Sequence, residues 1–190
     1  QISTLLDSLG TDHLSRATAV QQRQGQLEKL RRALKTWRND DTEMRKLQGD
    51  LNEYRQSRRQ VSDAIENAWR QMGVVRDEQR ASSVLGLRLD GMRVGQLPTL
   101  SPDIDFDHIE LLSLKNMNQG NDLAYFLKHF KSVQSLELDS NQLTLLPESI
   151  SLMTGLRYLS LADNKLVMTE QTLKKLAAMR TLKTLNLSKN

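Results

Sequence analysis

The hydrophobic residues in the second half of the chain recur with a period of about 24 residues. In each copy, apolar residues occupy the first, fourth and sixth positions, and Asn often follows at the ninth. The fourth position is occupied by Leu87, Leu112, Leu136, Leu159 and Leu185. Successive members of this set are 25, 24, 23 and 26 residues apart. Such alternation predicts short strands with one buried face, and a single strand cannot bury its leucines alone. The pattern therefore predicts about five parallel strands that stack around a shared leucine interior.

The ninth position predicts how the chain turns after each strand. Asn141, Asn164 and Asn190 occupy it in the last three copies, and an Asn amide can pair with backbone groups that would otherwise be buried without a partner. Met92 and Met117 replace Asn in the first two copies and cannot make these bonds. We therefore expect the first two turns to be less regular, with water or a neighbouring polar residue such as Asn116 taking the role of Asn.

The segments that return from one strand to the next differ in their patterns. Residues 122–130 and 169–179 have helical periodicity, whereas Pro147 indicates a tighter turn. Residues 95–108 contain two prolines and three alternating aspartates, and they predict an irregular acidic loop. A calcium site is the less favoured interpretation because the loop lacks the glycine and the distal Glu of a calcium-binding loop.

Residues 1–80 follow a helical pattern, with no proline and only four glycines. The pattern predicts a short helix that ends at Gly10, a second helix that runs to about Arg38, and a third from about Thr42 to Met72 that Gly73 ends. Asp40 is expected to cap the third helix. The sequence thus divides into a helical region over 1–80 and a repeat region over 81–190.

A row of residues spaced three and four apart along the third helix predicts a seam against the second helix in an antiparallel hairpin. Its members are Met44, Leu47, Leu51, Tyr54, Arg58, Val61, Ile65, Ala68 and Met72. Arg58 is the one charged member. Trp37 and Trp69 are predicted core residues, and a coiled-coil dimer is the alternative use of the seam.

Composition excludes several classes of protein and site. The chain of 190 residues has 38% hydrophobic and 26% charged residues, no cysteine and a net charge of +4. The absence of cysteine excludes disulfides and thiolate chemistry within these residues, and no window has the roughly 18 apolar residues of a membrane span. The net charge is +3 over residues 1–80 and +1 over residues 81–190. Neither region is strongly basic, so the sequence does not favour binding to nucleic acid. His13, His108 and His129 are isolated, so neither an enzyme nor a cofactor is predicted.

The string from Leu136 through Asn141 to Leu146, Pro147 and Ile150 resembles the leucine-rich repeats. The resemblance implies an α/β leucine-rich-repeat solenoid of about five repeats, with a parallel sheet on its concave face and an N-terminal antiparallel helical hairpin. Because the final copy has no polar closing turn, we expect its leucines to form an apolar edge that downstream repeats would cover.

A helical stretch that ends in Ala68-Trp69-Arg70 and leads into such repeats is similar to the middle region of pseudomonad toxin-like proteins. In that family a cysteine-dependent ubiquitin-ligase domain of the IpaH type follows the repeats. The resemblance implies a substrate-recognition fragment of a bacterial protein secreted into a host cell, with a host protein as its partner. The repeats here are longer than the roughly 20 residues of that family. The chain also lacks the catalytic cysteine, so no ligase activity is assigned to it.

Residues between the inward leucines are expected on the concave face, where another protein would bind. The predicted protein-binding residues are Arg88, Leu111, Ser113, Lys115, Glu137, Asp139, Tyr158, Ser160 and Asn186. Leu111 and Tyr158 are the expected apolar anchors, and the charged members would complement a partner's charges. The alternatives are a solvated face without a partner, and a structural scaffold that organises neighbouring domains or oligomers through the hairpin.

Overall fold

A computed structural model describes residues 1–190, and its centre is one six-stranded sheet. The strands follow chain order from β1 to β6; β1 pairs antiparallel with β2, and β2 to β6 are all parallel. Their bounds are β1 Val74–Asp77, β2 Ser82–Arg88, β3 Leu111–Ser113, β4 Ser135–Glu137, β5 Tyr158–Ser160 and β6 Thr184–Asn186. With the helices described below, this confirms the predicted α/β class.

The register of the parallel strands aligns the fourth-position leucines. Leu87 pairs with Leu112, which pairs with Leu136, and the same register continues through Leu159 to Leu185. The leucines of the middle strands are completely buried, because strands on both sides cover them. Leu185, in the last strand, is 39% exposed. Stacking of successive turns is thus what removes these side chains from water.

The ninth-position asparagines form a ladder along the turns. Asn141 Nδ2 donates to Leu114 O at 2.8 Å and to Leu138 O at 3.0 Å, one carbonyl from each of two adjacent turns. Its Oδ1 accepts from Met117 N and Gln119 N. Asn164 and Asn190 repeat the arrangement one and two turns later.

Gln119, rather than the expected Asn116, supplies the missing amide in the second turn. Its Nε2 donates to Gly95 O at 2.6 Å and to Met117 O at 3.0 Å, while Met117 itself is buried. Asn116 lies exposed on the turn with a φ of 53°. The longer Gln reaches inward from two residues beyond the methionine.

The returning segments have the predicted variety. They contain α4 Leu123–Leu127, a 3-10 helix over Glu148–Leu152 after Pro147, and α5 Glu170–Ala177. Residues 95–108 have no helix or strand. Their aspartates are not gathered for an ion, since Asp103 instead forms an ion pair with Lys29 at 2.8 Å.

The helices of residues 1–80 differ from the sequence prediction in their bounds. α1 is a single helix, Ile2–Arg38, that passes through Gly10, because an interior glycine costs only about 1 kcal/mol and nothing else interrupts the pattern. The predicted third helix is divided into α2 Asp41–Met44 and α3 Leu51–Trp69. Asp40 caps α2 as predicted, and the Asp50 side chain caps α3 by accepting from Asn52 N.

α1 and α3 form an antiparallel pair. Arg23 lies over the Trp69 ring at one end of the pair, and Arg58 lies over the Trp37 ring at the other. Both tryptophans are buried, as predicted. The other buried residues of the pair are Leu30 and Leu34 of α1 and Tyr54, Arg58, Val61, Ser62, Ile65 and Ala68 of α3. The seam on α3 is therefore used within the chain.

Arg58 is fully buried within this seam. Its Nε donates to Val94 O at 2.9 Å, its Nη1 donates to Trp37 O at 2.6 Å, and its Nη2 lies 3.5 Å from Glu43 Oε2. Burial lowers the pKa of Arg58, although the nearby Glu43 carboxylate opposes the shift. One side chain thus joins α1, α3 and the first turn after β2.

Residues 74–80 are not helical, contrary to the predicted helical region over 1–80. The helix ends at Trp69, and β1 with the following turn forms a hairpin on β2. A Cβ atom on Gly73 would lie 2.8 Å from Gly86 O, so Gly73 permits close packing against β2 rather than ending the helix.

One continuous hydrophobic core joins the helical pair to the strands. It extends from Leu30 in α1, through the aligned leucines, to Leu176 in α5. Leu182 and Leu187 are half-buried at its far side, less covered than Leu156 and Leu161 in the preceding turn.

Candidate protein-binding face

We call the solvent side of β2 to β6 the open face; it is the surface predicted to be concave. Its residues alternate with the inward leucines, so each strand presents two or three side chains. All nine predicted binding residues lie on these strands or immediately after them. They do not form one uniform surface, because four are buried, five are half-buried and several are paired with one another.

Five residues at the β2 side of the open face form a charged cluster. Ser113 Oγ donates to Asp90 Oδ1 at 2.6 Å and to Glu137 Oε2 at 3.0 Å. Arg88 Nη1 lies 3.0 Å from Asp90 Oδ2 and 3.3 Å from Glu137 Oε2. Lys115 Nζ lies 2.9 Å from the same Glu137 oxygen. Two cations thus face two carboxylates, and the cluster neutralises its own charge.

The charged cluster raises the pKa of both of its cations. The hydrogen bond to Glu137 raises the pKa of Lys115 against the opposing effect of burial. For Arg88, burial is the largest single influence and lowers the pKa, but Asp90 and Glu137 together outweigh it and the pKa is raised. Both side chains therefore stay charged, and Glu137, only 8% exposed, is occupied by internal partners.

Asp139 and Asn186 also have partners within the chain. Asp139 Oδ1 accepts from Ser160 Oγ and, at 2.9 Å, from Ala162 N, which fixes the turn after β5. Asn186 Oδ1 accepts from Ser188 N and Ser188 Oγ. Ser160 is completely buried. These residues order the edge of the open face rather than presenting free polar groups.

Leu111 is completely buried and does not form the exposed anchor that the sequence suggested. Its neighbour on β2 is Gly86, and a Cβ atom there would lie only 2.2 Å from Val75 Cγ2. Val75 of β1 therefore extends over this part of the sheet, and the β1 hairpin covers Leu111. Tyr158, the other predicted anchor, is half-buried and makes no side-chain hydrogen bond.

Sequence reasoning missed a cavity of about 250 Å³ beside Tyr158, which we call the basic cavity. Its lining comprises Gln79, Arg80, Gln134, Ser135, Arg157, Tyr158, Lys183 and Thr184. Gln134, Arg157 and Lys183 occupy the second position of successive repeats, a position that the alternation does not assign to the open face. The signal available in the sequence was that the second position of three successive repeats is occupied by a long polar or basic residue.

The basic cavity contains two cations without an ionic partner. Arg80 is occupied, with its Nε 2.7 Å from Asp77 Oδ2 and its Nη2 2.9 Å from Glu110 Oε2. Both contacts raise the pKa of Arg80, the hydrogen bond to Asp77 more than any other influence. Arg157 and Lys183 are exposed and make no side-chain hydrogen bond or ion pair. These two side chains are the free charges of the open face.

The three histidines lie in separate parts of the chain and differ in their surroundings. His129 is buried, with its ring Nδ1 donating to Ile104 O at 2.7 Å, and the ring of His108 contacts Ala68 O. His13 is exposed on α1. No group of three or more His, Asp or Glu residues is placed to hold a metal ion.

None of the helices is both long enough and apolar enough to cross a bilayer. Neither a protein-family model nor a curated protein matches the chain.

Proposed function

We propose that the chain is a leucine-rich-repeat solenoid, capped by a helical hairpin, that binds another protein through the open face. Three observations support the fold assignment: the in-register parallel strands, the asparagine ladder, and the alternation of helix and tight turn in the returning segments. Solenoids of this kind present an extended sheet as a binding surface.

The observation that supports binding is the combination of free groups around Tyr158. A half-buried aromatic ring without a hydrogen-bond partner lines the same cavity as two cations without ionic partners, Arg157 and Lys183. Tyr and Arg are among the side chains that most often dominate interface energies. The charged cluster at the β2 side of the open face has fewer free groups to offer a partner, because its charges are already paired.

Selection of peptides from a random displayed library against the whole chain tests this proposal. We expect most selected peptides to lose binding to Tyr158→Ala and to retain it with Leu152→Ala, a matched exposed residue outside the sheet. Peptides that depend on Leu152 and ignore Tyr158 would contradict binding through the open face.

By resemblance, we further propose that the chain is the recognition portion of a larger pseudomonad toxin-like protein with a ligase domain downstream. This part rests on the repeats and on the helical stretch that precedes them. Reading the parent gene beyond Asn190 tests it, because a cysteine-dependent ligase domain should follow; any other downstream domain would refute the relationship.

The second candidate function is assembly through α1. Six apolar side chains along its first half are 56–76% exposed: Ile2, Leu5, Leu6, Leu9, Leu14 and Val20. Acidic Asp7 and Asp12 precede basic Arg16 along the same half. An antiparallel pair of such helices would place acids opposite bases.

Sedimentation equilibrium distinguishes this candidate. The wild type should form dimers that Leu5→Lys with Leu9→Lys abolishes, whereas Leu145→Lys with Leu152→Lys, also exposed, should leave them intact. A wild-type chain that stays monomeric at all concentrations would leave only the binding function.

A further inference from the structure

We infer that the basic cavity binds an acidic segment of a partner protein, with two neighbouring Asp or Glu side chains against Arg157 and Lys183. The inference rests on the proposed binding function and names the chemistry of the partner.

The first step is the placement of the two cations. Tyr158 pairs with Thr184 in the parallel sheet, so Arg157 and Lys183 precede a matched pair on adjacent strands. Arg157 O accepts from Lys183 N at 2.7 Å and from Thr184 N at 3.0 Å, which fixes the two backbones together. Adjacent strands lie about 4.8 Å apart. The two positive side chains therefore start from neighbouring points on a rigid support.

The second step is the energetic consequence of this placement. Like charges directly opposite one another on adjacent strands destabilise a sheet. Elsewhere on the open face, each cation has a carboxylate within ion-pair distance, as Arg80 and Arg88 do. Only Arg157 and Lys183 lack one. An external anion would remove their repulsion and gain two charge-assisted contacts.

The third step is the neutral lining of the cavity. Gln134, Ser135 and Thr184 provide amide and hydroxyl groups, and Tyr158 provides an aromatic wall. These groups suit a peptide, which brings carbonyls and amides as well as carboxylates. The cavity of about 250 Å³ is also large enough for only one or two side chains.

A nucleic acid fits the surroundings less well. Binding a phosphate backbone requires a row of uncompensated cations. Beyond Arg157 and Lys183, the neighbouring charges on the open face are paired within the chain, and they include the carboxylates Glu137 and Asp139. A longer polyanion would therefore find no further free cation beside the cavity.

The test measures the fluorescence anisotropy of a labelled peptide of ten residues, with two adjacent glutamates at its centre and Gly and Ser elsewhere, with the full chain at low ionic strength. We expect Arg157→Glu with Lys183→Glu to weaken binding about tenfold. The control Lys128→Glu with Lys131→Glu changes the net charge equally, at exposed residues outside the cavity, and should change affinity less than about twofold. Equal weakening by both pairs would overturn the inference, because only net charge would then matter.

A thymidine decanucleotide is the second probe. Tighter binding of the oligonucleotide than of the glutamate peptide, with the same dependence on Arg157 and Lys183, would also overturn the inference. If the glutamate peptide does not bind while library peptides still depend on Tyr158, the proposed function stands and only the acidic chemistry fails.

A stability measurement checks the electrostatic premise without any ligand. Lys183→Glu alone would place a carboxylate beside Arg157, so we expect Tm to rise by about 1–3 °C. Lys165→Glu should not raise it, because Lys165 is exposed and its counterpart in the preceding repeat is the uncharged Gln142. A Tm that falls for Lys183→Glu would contradict the crowding of the two cations.

Discussion

Arg58 shows how much of the fold depends on a single side chain. Its guanidinium donates hydrogen bonds to two buried carbonyl groups, those of Trp37 and Val94, and forms an ion pair with the carboxylate of Glu43. A buried arginine is stable only while its partners remain, and the partners in turn need the arginine. The residue therefore connects the helical pair with the repeats through polar contacts, beside the apolar core.

Arg58→Met keeps most of the apolar volume and removes the guanidinium. We expect the free energy of unfolding to fall by about 3 kcal/mol, because two buried carbonyls lose their donor and the Glu43 carboxylate loses its ion-pair partner. Chemical denaturation measures the change. The adjacent Arg59→Met, which alters an exposed arginine without an ionic partner, should change it by less than about 0.5 kcal/mol. Similar losses in both variants would show that Arg58 is not special.

His129 predicts a dependence of stability on pH. Burial lowers the pKa of His129, more than its hydrogen bond to Ile104 O raises it, and the charges of Lys128 and Lys131 lower it further. The folded state then binds the proton less well than the unfolded state, whose His pKa is about 6.5. The contribution to stability is complete above that pKa and is lost as the pH falls below it towards the folded pKa.

Comparison with His129→Gln isolates this effect, since Gln keeps a hydrogen-bond donor and does not titrate. We expect the wild type to lose more Tm than the variant between pH 7.5 and pH 5.5. Parallel curves for the two proteins would show that His129 does not titrate differently in the folded state.

At the scale of elements, the ladder asparagines are not equivalent. Asn141 is 2% exposed and serves four buried backbone groups in two turns, whereas Asn190 is exposed. We expect Asn141→Ala to lower unfolding free energy by about 3 kcal/mol, because those groups stay buried without partners. Asn190→Ala should cost only about 1 kcal/mol, since water can reach the freed groups. Equal costs in denaturation experiments would argue against this difference in hydration.

The strands and their register could be predicted from the sequence because only one arrangement buries the leucines. A shift by one residue between neighbouring strands would turn Leu136 or Leu159 towards solvent. The same reasoning predicted the asparagine ladder and the seam of α3. It also identified Arg58 as a member of the seam. Periodicity alone does not predict which carbonyl groups accept hydrogen bonds from a buried arginine.

Other elements depend on long-range contacts that no local pattern encodes. β1 has only four residues, too few for a clear alternation, and it exists because β2 offers it an edge. Its Val75 then covers Leu111, so the exposure of Leu111 could not be read from its own repeat. The second-position column was missed because alternation assigns Arg157 and Lys183 to neither face. The prediction that a helix ends at Gly10 was wrong because glycine occurs at helix ends and also, at modest cost in free energy, within helices.

At the scale of the whole molecule, the shared core predicts cooperative unfolding. The helical pair and the repeats bury their side chains against one another, and Arg58 adds polar contacts across the same boundary. We expect tryptophan fluorescence, which reports only on Trp37 and Trp69, to change at the same denaturant concentration as far-ultraviolet circular dichroism. An earlier fluorescence transition would mean that the helical pair separates before the repeats unfold.

The first half of α1 gives the monomer an elongated outline in solution. Residues 2–22 are all exposed and have a helical rise of about 1.5 Å per residue, which adds a rod of roughly 30 Å to the body. A compact chain of this length has a radius of gyration of about 16 Å. Small-angle scattering should therefore give a larger value, and rotational diffusion should be slower than the mass suggests. Deleting those residues should restore the scattering profile of a near-spherical particle.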